Sequence, residues 1–156
     1  MKTASQWMSE YGESHQNPVN KGLHWICVPA IVLSVLALLW AIPVPDAVER
    51  WPLVNWATLT VLATLVFYVR LGMPFVVGML ALAAVCFSLI IYYEKHAPWP
   101  LWLAALVVFV VAWIGQFIGH HVEGRKPSFF KDLQFLLVGP AWLMGFIFRR
   151  LGIAFK

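Results

Sequence analysis

A chain of 156 residues that is 62% hydrophobic and only 12% charged is a poor fit to a water-facing fold, since soluble domains carry about twice that charge fraction. Its length allows one domain, and its apolar surface is more than so short a chain can bury without lipid. The net charge of +4 does not point to nucleic acid, because the basic residues gather at the ends of apolar runs and fit a membrane surface instead. Cys27 and Cys86 lie inside apolar runs, too isolated for a thiolate zinc site or a disulfide framework.

In chain order, the first twenty residues (MKTASQWMSEYGESHQNPVN) are polar. They lack the basic and apolar regions of a cleavable signal, so the first spanning helix is expected to act as its own insertion signal. Charges then punctuate the sequence. None falls between Lys21 and Asp46, between Arg50 and Arg70, between Arg70 and Glu94, or between Lys95 and Glu123. A crossing helix needs about 20 apolar residues, and only helices satisfy their own backbone in lipid. The expectation is an all-α integral membrane protein with about four spans, near 23–42, 52–70, 73–93 and 99–120. Pro43, Pro45 and Pro52 bracket the first connector, and Arg70-Leu71-Gly72-Met73-Pro74 reads as a tight turn. Pro98 and Pro100 open the fourth helix, where proline is tolerated. Trp40, Trp51, Trp99 and Trp102 fall at interface levels.

The uncharged stretch 133–148 is short and interrupted by Gly139-Pro140. A fifth crossing would move Arg149, Arg150 and Lys156 to the opposite side. The segment near 129–149 is therefore read as a helix that lies in the interface or re-enters, with Ser128 as its N-cap. Four spans leave nine Lys and Arg residues on the side of the termini and two, Arg50 and Lys95, on the other. By the positive-inside rule both termini are cytoplasmic.

Four of the five histidines belong to that same side. His15 and His24 precede or open the first span, and His120 and His121 close the fourth; only His96 is on the far side. Asn17-Pro18 reads as an N-cap and first helical position, with Asn20 and His24 four apart on one face. Gln116, His120 and Glu123 fall at i, i+4 and i+7. A single interfacial histidine ordinarily caps a helix end or meets a lipid phosphate. Four at one depth, with polar Asn20, Gln116 and Glu123 alongside, point to function. Neutral imidazole is the commonest metal ligand, and the three polar residues are expected to orient the rings. Imidazole donors without thiolate suit Fe, Zn, Ni or Cu, and the donor set alone does not choose among them. Five histidines suffice for a mononuclear centre only.

Two motifs carry a more specific likeness: Tyr11…His15-x-Asn17-x-x-Asn20-x-x-x-His24…Pro29, and Trp113-x-x-Gln116-Phe117-x-Gly119-His120-x-x-Glu123-x-x-x-Pro127. With them the whole chain resembles a family of small membrane proteins, long catalogued as a domain of unknown function, that contains the yeast-type Fe(II)-dependent 2-hydroxy fatty acid dioxygenases of α-oxidation. The resemblance implies cleavage of a long-chain 2-hydroxy fatty acid with O2 to the acid one carbon shorter and CO2. It implies His15, His24 and His120 as Fe(II) ligands. His121 is a further candidate ligand outside the matched pattern, and His96 matches nothing. Arg125 and Lys126 are candidates for the substrate carboxylate, with lipid headgroups as their ordinary partners.

Two other readings stay open on the sequence. One is a zinc-dependent membrane hydrolase of lipid amides, with Glu123 as general base. The other is a non-catalytic membrane adaptor or transporter, against which stands the lack of a central charged residue in the spans. A homo-oligomer is compatible with either. The chain carries no retention signal, which favours a bacterial plasma membrane over the endoplasmic reticulum.

Overall fold

The computed structural model describes residues 2–125 and 134–155. It is all-helical over those residues: α1 (Ala4–Gly12), α2 (Pro18–Trp40), α3 (Asp46–Glu49), α4 (Trp56–Leu71), α5 (Met73–His96), α6 (Leu101–Glu123) and α7 (Phe135–Arg150). Three helices, α2, α5 and α6, are long and apolar enough to cross a membrane. Their outward faces leave large apolar side chains uncovered, among them Val77 and Val111. That surface needs lipid as its solvent.

The second predicted span falls short in length. α4 starts at Trp56 rather than 52, because Pro52 and the Asn55 cap delay it; Asn55 Oδ1 accepts from Thr58 N at 3.0 Å. Its 16 residues make about 24 Å of helix, short of a hydrocarbon core of about 30 Å. α4 nevertheless runs the length of the bundle. At one end Trp56 Nε1 donates to Pro43 O after α2; at the other, Tyr68 Oη donates to Leu137 O of α7.

The first span begins earlier than 23. Asn17 Oδ1 accepts from Val19 N at 2.8 Å and Pro18 opens α2, which brings Asn20 and His24 inside the helix. α4 and α5 are separated by Gly72 alone, whose φ of 117° is a conformation that only glycine adopts readily. α6 ends on Gly124 in the left-handed region, and Arg125 N closes the turn on His120 O at 3.2 Å, a Schellman-type stop.

α2 and α6 are antiparallel partners. Glycine makes their approach close: a Cβ on Gly115 would stand 2.6 Å from Cys27 Sγ, and one on Gly119 2.5 Å from Asn20 Oδ1. Gly115 and Gly119 thus form the small-residue spacing that lets membrane helices touch. At the end opposite the histidines, Trp40 Nε1 donates to Glu94, so α2 and α5 run in the same direction. α1 and α7 cover the histidine end. α1 buries Ala4, Trp7, Met8 and Tyr11, a one-sided helical stripe that packs on α7. The described part of the predicted C-terminal helix is α7, which also packs on α2 and α5; Ser128, its expected cap, lies outside the described residues.

Candidate metal centre

Three elements deliver one imidazole each. His15 comes from the turn after α1, His24 from the second turn of α2, and His120 from the last turn of α6. All three are buried. Their ring centroids are 4.1 Å (His15–His24), 4.9 Å (His15–His120) and 5.3 Å (His24–His120) apart.

The surroundings fix the His15 ring. Its Nδ1 lies 2.6 Å from Tyr11 O. A carbonyl only accepts, so this nitrogen carries the proton and Nε2 keeps its lone pair. The ring also stacks on Tyr11, with centroids 4.2 Å apart and planes at 12°. His15 Nε2 faces His24 Nε2 at 2.8 Å, and Tyr11 Oη lies 3.2 Å from that same His24 nitrogen. Burial pushes the His15 imidazole down to about 4 and raises the Tyr11 phenol above its ordinary range. At neutral pH, then, His15 is a lone-pair donor and Tyr11 a protonated hydroxyl. Trp142 of α7 roofs the group, 5.3 Å from His15 and 5.6 Å from Tyr11 between centroids.

The donor set fits a divalent transition ion. One nitrogen from each histidine lies within 4.8 Å of the others. Metal–imidazole bonds of about 2.1 Å ask for spacings up to about 4 Å, so a small side-chain movement closes the set. Ring donors without thiolate or carboxylate suit iron, zinc, nickel or copper, and three protein ligands leave positions open for small ligands.

His121 does not join this group. It is exposed, because one helical step turns a side chain about 100° away from its neighbour. His96 stacks on Tyr92 at the opposite end of the bundle. Glu123 acts as a clamp: its Oε1 accepts from Gln16 N at 2.8 Å, and its Oε2 from Asn17 N at 2.8 Å and Asn20 Nδ2 at 3.1 Å. It ties the end of α6 to the start of α2. Asn20 also donates to Ser14 O at 3.1 Å, which fixes the turn that carries His15. Gln116 is buried, and its Nε2 has no hydrogen-bond partner among the described residues. It lines a pocket of about 60 Å³ with His24, His120 and Tyr11. Arg125 is exposed, and Lys126 lies outside the described residues. Sequence reasoning missed Trp142, whose role comes from a distant segment, and took Gly119 only as part of a motif, without reading its spacing from Gly115.

The fold and the site define a small helical membrane protein with a buried three-histidine centre. The family described as 2-hydroxy-palmitic acid dioxygenase Mpo1-like matches residues 1–151, and the chain belongs to that family. It is 31% identical over 138 residues to the 2-hydroxy-palmitic acid dioxygenase MPO1 of Saccharomyces cerevisiae, covering 86% of this chain and 74% of the yeast protein. No solved structure matches the chain.

Proposed function

We propose that the protein is an Fe(II)-dependent dioxygenase that cleaves long-chain 2-hydroxy fatty acids to the one-carbon-shorter acid and CO2. The observation that carries this reading is the buried cluster of His15, His24 and His120 at a pocket that also holds Tyr11 and Gln116. The reaction balances without an added reductant: R–CH(OH)–COOH + O2 gives R–COOH + CO2 + H2O. The C1–C2 bond breaks, both carbons are oxidised, and the acid supplies every electron that O2 takes up.

His15, His24 and His120 would hold the ion. Iron bound there supplies O2 activation and chelation of the hydroxy-carboxylate. Neutral ligands leave the ion its full charge, which favours an anionic bidentate substrate and holds the C1–C2 bond in place. Tyr11 keeps a protonated hydroxyl beside His24. Gln116 offers a buried amide donor to an oxygen of the acid head. Asn20 and Glu123 are positioning residues that hold the His15 turn against α6. Arg125 and Lys126 remain the candidates for drawing the carboxylate in from the membrane surface. The site would face the cytoplasm, in a bacterial plasma membrane.

The zinc hydrolase reading loses support, because the Glu123 carboxylate that it needs as a base is engaged by two backbone N–H groups and Asn20. The test is anaerobic purification in detergent, with elemental analysis of wild type and His120→Ala, followed by an assay for pentadecanoic acid and CO2 from 2-hydroxypalmitate. Stoichiometric iron that His120→Ala loses, together with O2-dependent product, supports the proposal. Stoichiometric zinc and no O2 dependence would replace it with the hydrolase. No metal after Fe(II) reconstitution would leave a non-catalytic membrane protein.

A further inference from the structure

The pocket beside the histidines does not end at them. A larger cavity of about 430 Å³ lies deeper in the bundle, between α2, α4, α5, α6 and α7. The two share Ile31, Val32, Trp113, Leu136 and Pro140 in their walls. The larger one is walled by aliphatic and aromatic side chains, with Thr64 and Tyr68 as its hydroxyl-bearing members. Tyr68 Oη is already committed to Leu137 O, and Thr64 Oγ1 to Val61 O. The wall therefore offers an apolar molecule no unmet hydroxyl.

Depth follows from helix direction. α2 and α5 run away from the histidines, and α4 and α6 run toward them. The deepest lining residues are therefore Leu36, Val61, Ala83 and Phe109. From His24 to Leu36 is twelve residues of α2, about 18 Å, a length suited to a long acyl chain. At this floor Leu36 packs into a cluster with Ala37, Ala57, Cys86, Ile90 and Ala105.

We infer that this cavity houses the acyl tail of the substrate inside the protein, with the head group at the histidines and the floor at Leu36, Val61, Ala83 and Phe109 limiting chain length. The inference rests on the proposed 2-hydroxy acid reading and adds where the tail goes. A tail left among the bilayer lipids would meet no floor, and chain length would matter little. A cavity with a floor, although open along its side to lipid, makes each methylene that reaches the floor count. One that fits gains about 0.8 kcal/mol, about fourfold in affinity, and one displaced by the floor loses it.

The experiment uses wild-type protein in lipid nanodiscs and a 2-hydroxy fatty acid of palmitate length with a diazirine at its ω end. After irradiation, labelled peptides are mapped by mass spectrometry. Labelling at Leu36, Val61, Ala83 or Phe109 supports the cavity. Labelling confined to lipid-facing residues such as Leu62 or Val111, or none above a diazirine alkane control, overturns it. The same acid is assayed in parallel for O2-dependent cleavage. Floor labelling without cleavage keeps the lipid cavity and sinks the dioxygenase; cleavage with only lipid-facing labelling does the reverse. Ala83→Leu, which raises the floor, is expected to shift preference toward shorter acids by about fourfold per displaced methylene. An unchanged chain-length profile in a folded Ala83→Leu protein counts against the inference.

Discussion

At the scale of single residues, the three-histidine cluster proposed to hold the metal depends on one carboxylate outside it. Glu123 accepts from the two backbone N–H groups that follow His15 and from Asn20. Hydrogen bonds to a charged group are worth about 1.5–3 kcal/mol when buried, and these are partly exposed. Glu123→Gln keeps the shape but turns an NH2 group against an N–H donor. The expected result is a loss of about 2 kcal/mol in stability and weaker iron retention. Thermal denaturation in detergent and iron content of the purified protein read both; a variant indistinguishable from wild type in each would remove the clamp from the argument. A contrast comes from the adjacent histidines. His121→Ala is expected to keep its iron, because that ring is exposed and outside the cluster, whereas His120→Ala loses it. Equal losses from the two would put His121 back among the ligands.

At the scale of elements, the contact between α2 and α6 brings His24 to His120, and two glycines make that contact possible. Gly115→Ala drives a methyl to 2.6 Å from Cys27 Sγ. Overpacking of this kind costs about 1–3 kcal/mol. Cys27→Ala removes the sulfur and is expected to relieve most of that cost, so the double variant should be more stable than Gly115→Ala alone. A double-mutant cycle on melting temperature checks it, and additive losses would mean that the helices do not meet through this pair. Much of the arrangement was legible in the sequence. The charge-free runs located the long helices, and Asn17-Pro18 marked the start of α2. The polar faces of α2 and α6 named His24, His120, Asn20, Gln116 and Glu123. What was not legible depends on contacts between distant segments. α1 was passed over because Ser5, Gln6, Ser9 and Glu10 interrupt, and so hide, an apolar stripe of Ala4, Trp7, Met8 and Tyr11. Trp142 could not be placed over the site without knowing that α7 folds back onto α1 and α2. His121 was kept as a further candidate for its depth beside His120, although one helical step turns its ring about 100° away, and in the structure it is exposed.

At the scale of the whole molecule, α4 decides how often the chain crosses the membrane. By length alone α4 falls short of a full crossing, by about 6 Å of helix. By its contacts it runs from the loop after α2 to the histidine end, where Tyr68 meets Leu137. Mismatch of this size is tolerated by local thinning of the bilayer at a modest cost per ångström. If α4 crosses, α2, α4 and α5 make three crossings between α1 and His96, and these lie on opposite sides. If it does not, two crossings put them on the same side. The native Cys27 and Cys86 are buried and would stay silent toward a membrane-impermeant thiol reagent. Ser5→Cys and His96→Cys place single exposed thiols at the two ends. The expected outcome is that His96→Cys is labelled in intact cells and Ser5→Cys only in inside-out vesicles, as the positive-inside rule asks of a sequence with nine basic residues on one side and two on the other. Labelling of both from one face would mean that α4 lies along the membrane instead of through it, and the histidine centre would then need a different account of its sidedness.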